Sequence, residues 1–149
     1  MKKVFLLLFL ALTLQVQAQT GKDAALEVIG GTGGLLLYNT YLVIGQTHDG
    51  FGGEVYDAAT ATTLVEEQLS GIETVKGQYN ALIRSKFLTD PNDVQFVKEM
   101  LEAFDLVHQE GSHFVRYLKE DDQGALEDYE IARQAAWAKI SSLLGLEEE

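Results

Sequence analysis

Residues 90–122, DPNDVQFVKEMLEAFDLVHQEGSHFVRYLKEDD, carry the clearest helix signal of the chain. Asp90 is a favourable N-cap, Pro91 suits the first turn because its missing N–H would have no partner there, and Asp93 adds negative charge at the positive end of the helix dipole. A mainly apolar series then follows at alternating intervals of four and three: Val97, Leu101, Phe104, His108, Gly111, Val115 and Leu118. This spacing predicts a long helix that buries the face carrying the series.

Further helices are predicted on both sides of this segment. The second helix begins after Asp57 and continues to about Leu88, and the fourth begins after residues 121–122 (Asp-Asp) and ends at Gly145. Their apolar residues recur every three or four positions, as on one face of a helix. The predicted inward residues are Ala58, Ala61, Val65, Leu69, Ile72, Val75, Tyr79 and Leu82 in the second helix, and Leu126, Tyr129, Ala132, Ala136, Ile140 and Leu143 in the fourth.

The first helix is expected from about Lys22 to near His48, followed by a glycine-rich loop over residues 49–53. Glycine costs a helix ~0.5–1 kcal/mol relative to alanine, so the run at residues 30–34 leaves open a later start near Gly34. Four amphipathic helices with short connections predict an all-α fold, an antiparallel up-down-up-down four-helix bundle. The alternative is a three-helix core whose first helix pairs with another subunit. Glu147–Glu149 are expected to form a solvated tail.

The glycine run, VIGGTGGLL at residues 28–36, is compared with two kinds of functional segment. A dinucleotide-binding turn would need a third glycine where this chain has Leu36, and further βαβ units, which are not predicted. Residues 28–47 lack charge, and Gly30 and Gly34 form the GxxxG pair of some membrane helices. Polar residues and glycines dilute this segment below a typical membrane span. The preferred interpretation is a buried helix whose glycines allow close packing, and self-association through the glycine face is the alternative.

The N-terminus, MKKVFLLLFLALTLQVQA at residues 1–18, has the layout of a secretory signal peptide. Lys2 and Lys3 are followed by an apolar run from Val4 to Leu14, interrupted by one threonine, and the segment ends in Val-Gln-Ala. The run is too short to span a bilayer, so cleavage after Ala18 is expected. The mature chain, residues 19–149, would then be a single helical-bundle domain without stable membrane insertion. Its simple leader is typical of bacteria and predicts export to the periplasm or the medium.

Charge and cysteine content exclude several function classes. The chain has 11 cationic and 23 acidic side chains, and two of the cations, Lys2 and Lys3, leave with the signal peptide. This balance argues against binding nucleic acid or an anionic membrane surface. The chain has no cysteine, which removes disulfides, thiolate catalysis, cysteine-bound metals and lipid attachment at a leader cysteine.

The histidines do not predict a catalytic or metal centre. Asp105 precedes His108 by three residues and Glu110 precedes His113 by three, as in half of a di-iron site, but both pairs lie on one predicted helix. The two imidazoles would point about 140° apart and could not share one ion. No serine lies in a Gly-x-Ser-x-Gly elbow. The sequence therefore predicts no enzyme, no metal and no cofactor.

Polar residues within apolar stretches are the remaining candidates for a site. They are Tyr41 of the first helix, Gln68 and Tyr79 of the second, His108 of the third and Arg133 of the fourth. Such residues can line a ligand pocket between helices or fix the register of the bundle. The preferred function is non-catalytic binding or scaffolding in the cell envelope, with an unidentified protein partner or a second copy. The alternative is a metal- or small-ligand-binding bundle with its site around His108.

Overall fold

The computed structural model describes the backbone of residues 2–146 and the side chains of residues 23–146. It contains four helices: α1 (Lys2–Gly52), α2 (Ala58–Arg84), α3 (Pro91–Glu120) and α4 (Gln123–Leu144). No strand occurs within residues 2–146, and the helices pack against each other, so the predicted all-α four-helix bundle is confirmed. The expected acidic tail at Glu147–Glu149 lies outside the described residues.

Aspartate side chains begin three of the helices, as the sequence predicts. Asp57 accepts a hydrogen bond from the Thr60 amide at 2.8 Å, Asp90 accepts one from Asn92 at 2.8 Å, and Asp122 accepts one from Gly124 at 2.9 Å. These bonds satisfy amides that have no partner within the helix. Left-handed residues end the last two helices: Asp121, with φ of 52°, follows α3, and Gly145, with φ of 65°, follows α4.

Two of the predicted helices have wrong boundaries. The α1 backbone is helical from Lys2 through the glycine run to Gly52, so it begins before Lys22 and ends beyond His48. The Gly50 carbonyl accepts from the amides of both Val55 and Tyr56, and the Tyr56 ring covers Gly50, which holds the helix end closed. The second correction concerns α2, which ends at Arg84 rather than Leu88 because Lys86 adopts a left-handed φ of 58°.

The order of contacts along the helices establishes the antiparallel arrangement. Ascending α3, Glu102 pairs with Lys139 and Arg116 with Asp128, so α4 runs in the opposite direction. The ion pairs between α2 and α3 show that α2 also runs in the direction opposite to α3. On α1, a Cβ at Gly34 would meet Leu144 near the end of α4, whereas His48 stacks on Tyr129 near its beginning. Consecutive helices therefore alternate in direction, and α1 runs parallel to α3.

The chain divides into two compact units, the first ending at Gly33 and the second beginning at Gly34. In the first unit, residues 2–33 are helical. The bundle is formed within the second unit, so residues 19–33 of the predicted mature chain belong to the first. Within the described residues, one segment of α1, Asp23–Gly52, is long and apolar enough to cross a membrane by length and composition. Core helices and signal sequences pass the same test, and Leu37, Tyr41 and Ile44 of this segment are buried in the bundle.

The buried face of α3 differs from the predicted heptad series. Val97, Phe104 and Gly111 are buried as expected, whereas Leu101, His108, Val115 and Leu118 are only half-buried. Because α3 lies against both α2 and α4, burial extends around the helix to residues one position before the expected ones. The residues that α3 buries are Val97, Met100, Ala103, Phe104, Val107, Glu110, Gly111 and Phe114.

Side chains of α1 and α2 pack closely against Gly111 of α3. An added Cβ would lie 2.8 Å from Leu69 Cδ2 and 3.2 Å from both Ile44 Cδ1 and Val65 Cγ1. We expect Gly111→Ala to lower the free energy of unfolding by ~1–3 kcal/mol, because the crowding outweighs alanine's helix preference. Gly71→Ala is the control, since nothing lies within 4 Å of its Cβ position and it should gain up to ~1 kcal/mol. Equal increases in the free energy of unfolding for Gly111→Ala and Gly71→Ala, measured by urea denaturation, would contradict this packing.

Candidate functional site

The structure does not join the five predicted polar residues into one pocket. Tyr41 and Arg133 are brought together, with the guanidinium Cζ 4.4 Å from the tyrosine ring centroid. Tyr79 is buried against Phe104, with ring centroids 5.9 Å apart. Gln68 is half-buried on α2, and His108 lies at the partly exposed boundary between α2 and α3. The cluster in the interior therefore forms around Arg133 rather than around His108.

Glu110 is the partner of Arg133 and is the most deeply buried charged group of the described chain. Its side chain has no solvent exposure, and Arg133 Nη1 donates to its Oε1 at 2.6 Å. The helix period explains the placement, because Glu110 lies three residues after Val107 and four before Phe114, both fully buried. Arg133 reaches the carboxylate from α4 and retains 26 % exposure. The pair thus links α3 to α4 inside the bundle.

The first helix completes the enclosure of the guanidinium. Arg133 lies over the face of Tyr41, and its Nη1 is 3.5 Å from the Tyr41 carbonyl oxygen. A Cβ at Gly45 would overlap the guanidinium, so glycine is the residue that leaves room for it. Cation–π contact adds about 0.5–2 kcal/mol when the cation is partly desolvated. Arg133 therefore connects three helices through one planar group.

Burial dominates the electrostatics of this cluster. It raises the pKa of Glu110 from 4.5 to about 7, although the nearby Arg133 guanidinium opposes the shift. Burial also raises the pKa of the Tyr129 hydroxyl, one turn before Arg133 on α4. The free energy of desolvating the carboxylate is therefore larger than the stabilisation from its ion pair with Arg133, as is common for buried pairs.

Two buried oxygens of this region have no hydrogen-bond partner among the described residues. They are Glu110 Oε2 and the Tyr129 hydroxyl. The Tyr129 ring itself is well packed, stacked 4.6 Å from His48 and 5.3 Å from Phe114 between centroids. His48, which the sequence predicts at a helix end, thus belongs to an interior aromatic group.

We expect Tyr129→Phe to raise the free energy of unfolding by ~1 kcal/mol. The substitution keeps the ring contacts and removes a buried hydroxyl that would otherwise bear its desolvation cost unpaired. Thermal and urea denaturation would measure the change. Tyr117→Phe is the control, because Tyr117 belongs to the same aromatic group but is half-buried and its hydroxyl is not among the buried unpaired atoms. A loss of stability in Tyr129→Phe would show that its hydroxyl has a partner, for example an internal water.

His108 belongs to a separate polar cluster between α2 and α3. The sequence predicts it on a buried seam, but its side chain is 33 % exposed because the buried face of α3 is turned away from it. Its Nδ1 lies 3.2 Å from Ser112 Oγ and its Nε2 lies 3.6 Å from Glu73 Oε1. Both ring nitrogens therefore face groups of the bundle itself.

A lysine occupies the cation position of that cluster. Lys76 Nζ is 2.6 Å from Glu73 Oε1 and 2.7 Å from Asp105 Oδ1. Desolvation lowers the pKa of Lys76, but the hydrogen bonds to Asp105 and Glu73 outweigh it, so the pKa is raised overall. The ammonium neutralises the carboxylates that a metal ion would need. Across the described residues, no group of three or more possible metal-ligating side chains is found.

Sequence reasoning noted Arg133 but missed Glu110 as its partner. The sequence interpretation relates Glu110 only to His113, by their spacing, and the structure pairs His113 with Asp128 instead, at 3.7 Å. The available signal was the position of Glu110 between Val107 and Phe114 on one helix stripe. That stripe lies one position before the predicted inward series of α3, which does not include Glu110.

The interior cluster can hold three helices together. Arg133, Glu110 and Tyr41 contact one another, and Gly45 leaves space only for the guanidinium. Comparison of the chain with protein-family models, with curated proteins and with solved structures finds no match. The function must therefore be argued from the residues of this chain.

Proposed function

We propose that residues 1–18 direct export and that the mature bundle acts by non-catalytic binding or scaffolding in the cell envelope. The observation that carries this proposal is that Arg133 and His108, two of the predicted polar site residues, already contact other groups of the bundle. Arg133 ties Glu110 to Tyr41 across three helices, and His108 faces Ser112 and Glu73. Polar groups used in this way fix the register of a bundle and are not left free to bind a ligand. We therefore propose that the outer surface of the bundle carries the binding function.

Export is supported by the sequence and by the apolar helix at the N-terminus. The segment from Val4 to Leu14 follows two lysines and precedes a small-residue cleavage pattern. The helical backbone from Lys2 onward is compatible with a signal sequence. The absence of cysteine agrees with a released rather than a lipid-anchored protein. We propose the periplasm or the medium as the destination.

Expression of the full chain in a Gram-negative host tests this export step. We expect the protein in the periplasmic fraction or the medium, with Gln19 as its first residue by intact mass and N-terminal sequencing. Lys2 and Lys3 replaced by glutamate should reduce export, because the positive start of the leader is lost. Retention of an intact Met1 N-terminus in the membrane fraction would contradict the proposal.

The His108→Leu variant separates scaffolding from the ligand-binding alternative. In the scaffolding account, the variant keeps its helical content and its oligomeric state, because the ion pair of Lys76 with Asp105 remains. A protein that carries a ligand at His108 would instead lose bound mass or absorbance. His113→Leu, on the same helix and facing α4, is the matched control.

A further inference from the structure

On α1, a second row of mainly apolar side chains faces away from the bundle. The inward side of the helix is occupied by α4, because a Cβ at Gly34 would meet Leu144 and one at Gly45 would meet the Arg133 guanidinium. At 100° per residue, the residues on the other side lie within about 120° of the helix circumference. Leu35, at the start of this side, is 62 % exposed. This outward row is exposed or half-buried and consists of Leu35, Leu36, Asn39, Leu42, Val43 and Gln46.

The outward row has the spacing of a helix that packs against another helix. It occupies positions a, d and e of a heptad, with an amide side chain at each a position and a leucine at each d position. Because the inward side of α1 already packs within the bundle, the outward row indicates a helical partner outside it. Its six residues form three pairs that lie seven residues apart: Leu35 with Leu42, Leu36 with Val43, and Asn39 with Gln46.

The outward row lacks charge in a strongly acidic chain. Residues 28–47 contain no acidic or basic side chain, whereas the chain as a whole has a formal charge of −12. A cationic partner would find its complementary charges on the other helices, and two copies would repel each other there. The outward row allows two copies to meet with no acid in the contacting helix segment. The exposed acids of the other helices include Glu66 and Glu67 on α2, Glu102 and Asp105 on α3, and Glu127 and Glu130 on α4.

The two amides of the outward row favour the same helix of a second copy as the partner. An amide side chain both donates and accepts hydrogen bonds, so Asn39 can pair with Asn39 of another copy, and Gln46 with Gln46. Two identical helices that run in parallel place a against a and d against d, so amides meet amides and leucines meet leucines. In an antiparallel pair, a faces d, and the amides would lie against leucines. A polar residue at an a position thus selects the parallel register.

We infer that the outward row of α1 binds the outward row of a second copy of this chain, with the two helices parallel. The contact spans about 17 Å of helix, which is short for a protein interface, so the homodimer is weak and its population depends on concentration. The inference deepens the proposed scaffolding function, on which it rests, by naming the partner. A monomeric chain would overturn this inference alone, whereas a metal bound at His108 would overturn the scaffolding function and leave dimerisation unaffected.

Single introduced cysteines test the parallel arrangement, because the chain has no cysteine of its own. Asn39→Cys and Gln46→Cys should each form a disulfide with the same residue of a second copy under mild oxidation, since a disulfide needs Cα atoms within about 7 Å. An antiparallel pair cannot bring both positions next to their own copies, because they lie about 10 Å apart along the helix. Gln78→Cys, exposed on α2, is the control. Crosslinking at one position alone, or at the rate of the control, would overturn the inference.

Sedimentation equilibrium of the protein recovered from an exporting host measures the association itself. We expect the average mass to rise from monomer to dimer between about 1 μM and 1 mM. Asn39→Asp with Gln46→Glu should raise the dissociation constant at least about tenfold, because like charges then face each other across the contact.

The matched control is Gln78→Glu with Asn80→Asp, which adds the same charge to exposed positions of α2 and should change the dissociation constant little. Circular dichroism would establish that each variant is folded. A parent protein that stays monomeric at about 1 mM, or an equal effect in both double variants, would overturn the inference. Binding of a monomeric chain to phosphatidylcholine vesicles would also overturn it, by showing that lipid covers the outward row.

Discussion

Arg133→Met is expected to lower the free energy of unfolding by about 3–5 kcal/mol near pH 8. The variant would leave Glu110 fully buried without the guanidinium that now donates to it at 2.6 Å. An uncompensated buried carboxylate must either remain charged in an apolar site or take up a proton. The loss should therefore be smaller at pH 5, where protonation of Glu110 is easier. Urea denaturation at both pH values measures it.

The double variant Glu110→Leu with Arg133→Met gives the decisive comparison. Because the buried carboxylate pays a desolvation cost that its ion pair does not fully return, removing both charges should recover most of the lost stability. Lys119→Met is the surface control, since its pair with Glu66 is half exposed and should be worth less than about 1 kcal/mol. A double variant as unstable as the sum of its two single variants would contradict a coupled pair.

The second large effect is the pH dependence of Glu110→Gln. Folding raises the pKa of Glu110 from 4.5 to about 7, so between these values the native state binds more protons than the unfolded state. By linkage, the contribution of Glu110 to stability is present below pH 4.5 and is lost as the pH rises towards 7. Glutamine does not titrate, so the Glu110→Gln variant does not lose this stability contribution as the pH rises. Relative to the parent protein, Glu110→Gln should therefore gain about 3 kcal/mol between pH 4.5 and pH 8.

Using the difference between two proteins removes the background of this measurement. The other carboxylates titrate similarly in both and largely cancel, which a single stability curve would not allow. Glu67→Gln is the control for introducing a glutamine, because Glu67 is exposed on α2. A difference between Glu110→Gln and the parent protein that stays flat with pH would contradict the burial of Glu110.

Features of the fold that depend on local sequence could be predicted, because local rules determine them. Asp57, Asp90 and Asp122 begin helices because a short acidic side chain can reach free amides two or three residues later. Gly145 ends α4 because it tolerates a left-handed conformation. The inward residues of α4 were predicted for the same reason: one face of this helix carries its small and apolar residues, and Tyr129, Ala132, Ala136 and Ile140 are buried.

Features that depend on the neighbouring helices could not be predicted in this way. The expected series on α3 places His108 inside, but contact with both α2 and α4 buries Val107 and Glu110 instead. The predicted and the observed buried series on α3 differ by about one position, or 100° of rotation. The spacing of apolar residues along one helix does not distinguish them. Contacts with α4 are equally hidden from the sequence of α1: Cβ atoms at Gly34 and Gly45 would meet the side chains of Leu144 and Arg133.

The candidate site was partly predictable because its residues carry different signals. Tyr41 and Arg133 are polar groups on apolar helix faces, which is recognisable in a single sequence. Glu110 is one of 23 acidic residues. Because most acidic side chains of proteins are solvated, the composition of the chain does not distinguish Glu110 from the others. Glu110 is recognised as a site residue by its pairing with Arg133 on another helix. That pairing is seen only once the helices are packed.

Native mass spectrometry of the mature chain, recovered gently from an exporting host and measured with and without a chelator, tests the central claim most directly. If the interior polar groups are paired with one another, the protein should appear at the mass of residues 19–149, with no added mass that the chelator removes. It should give the same result for the parent and for His108→Leu. A chelator-sensitive mass in the parent that His108→Leu lacks would contradict the scaffolding account and establish a bound metal in the bundle.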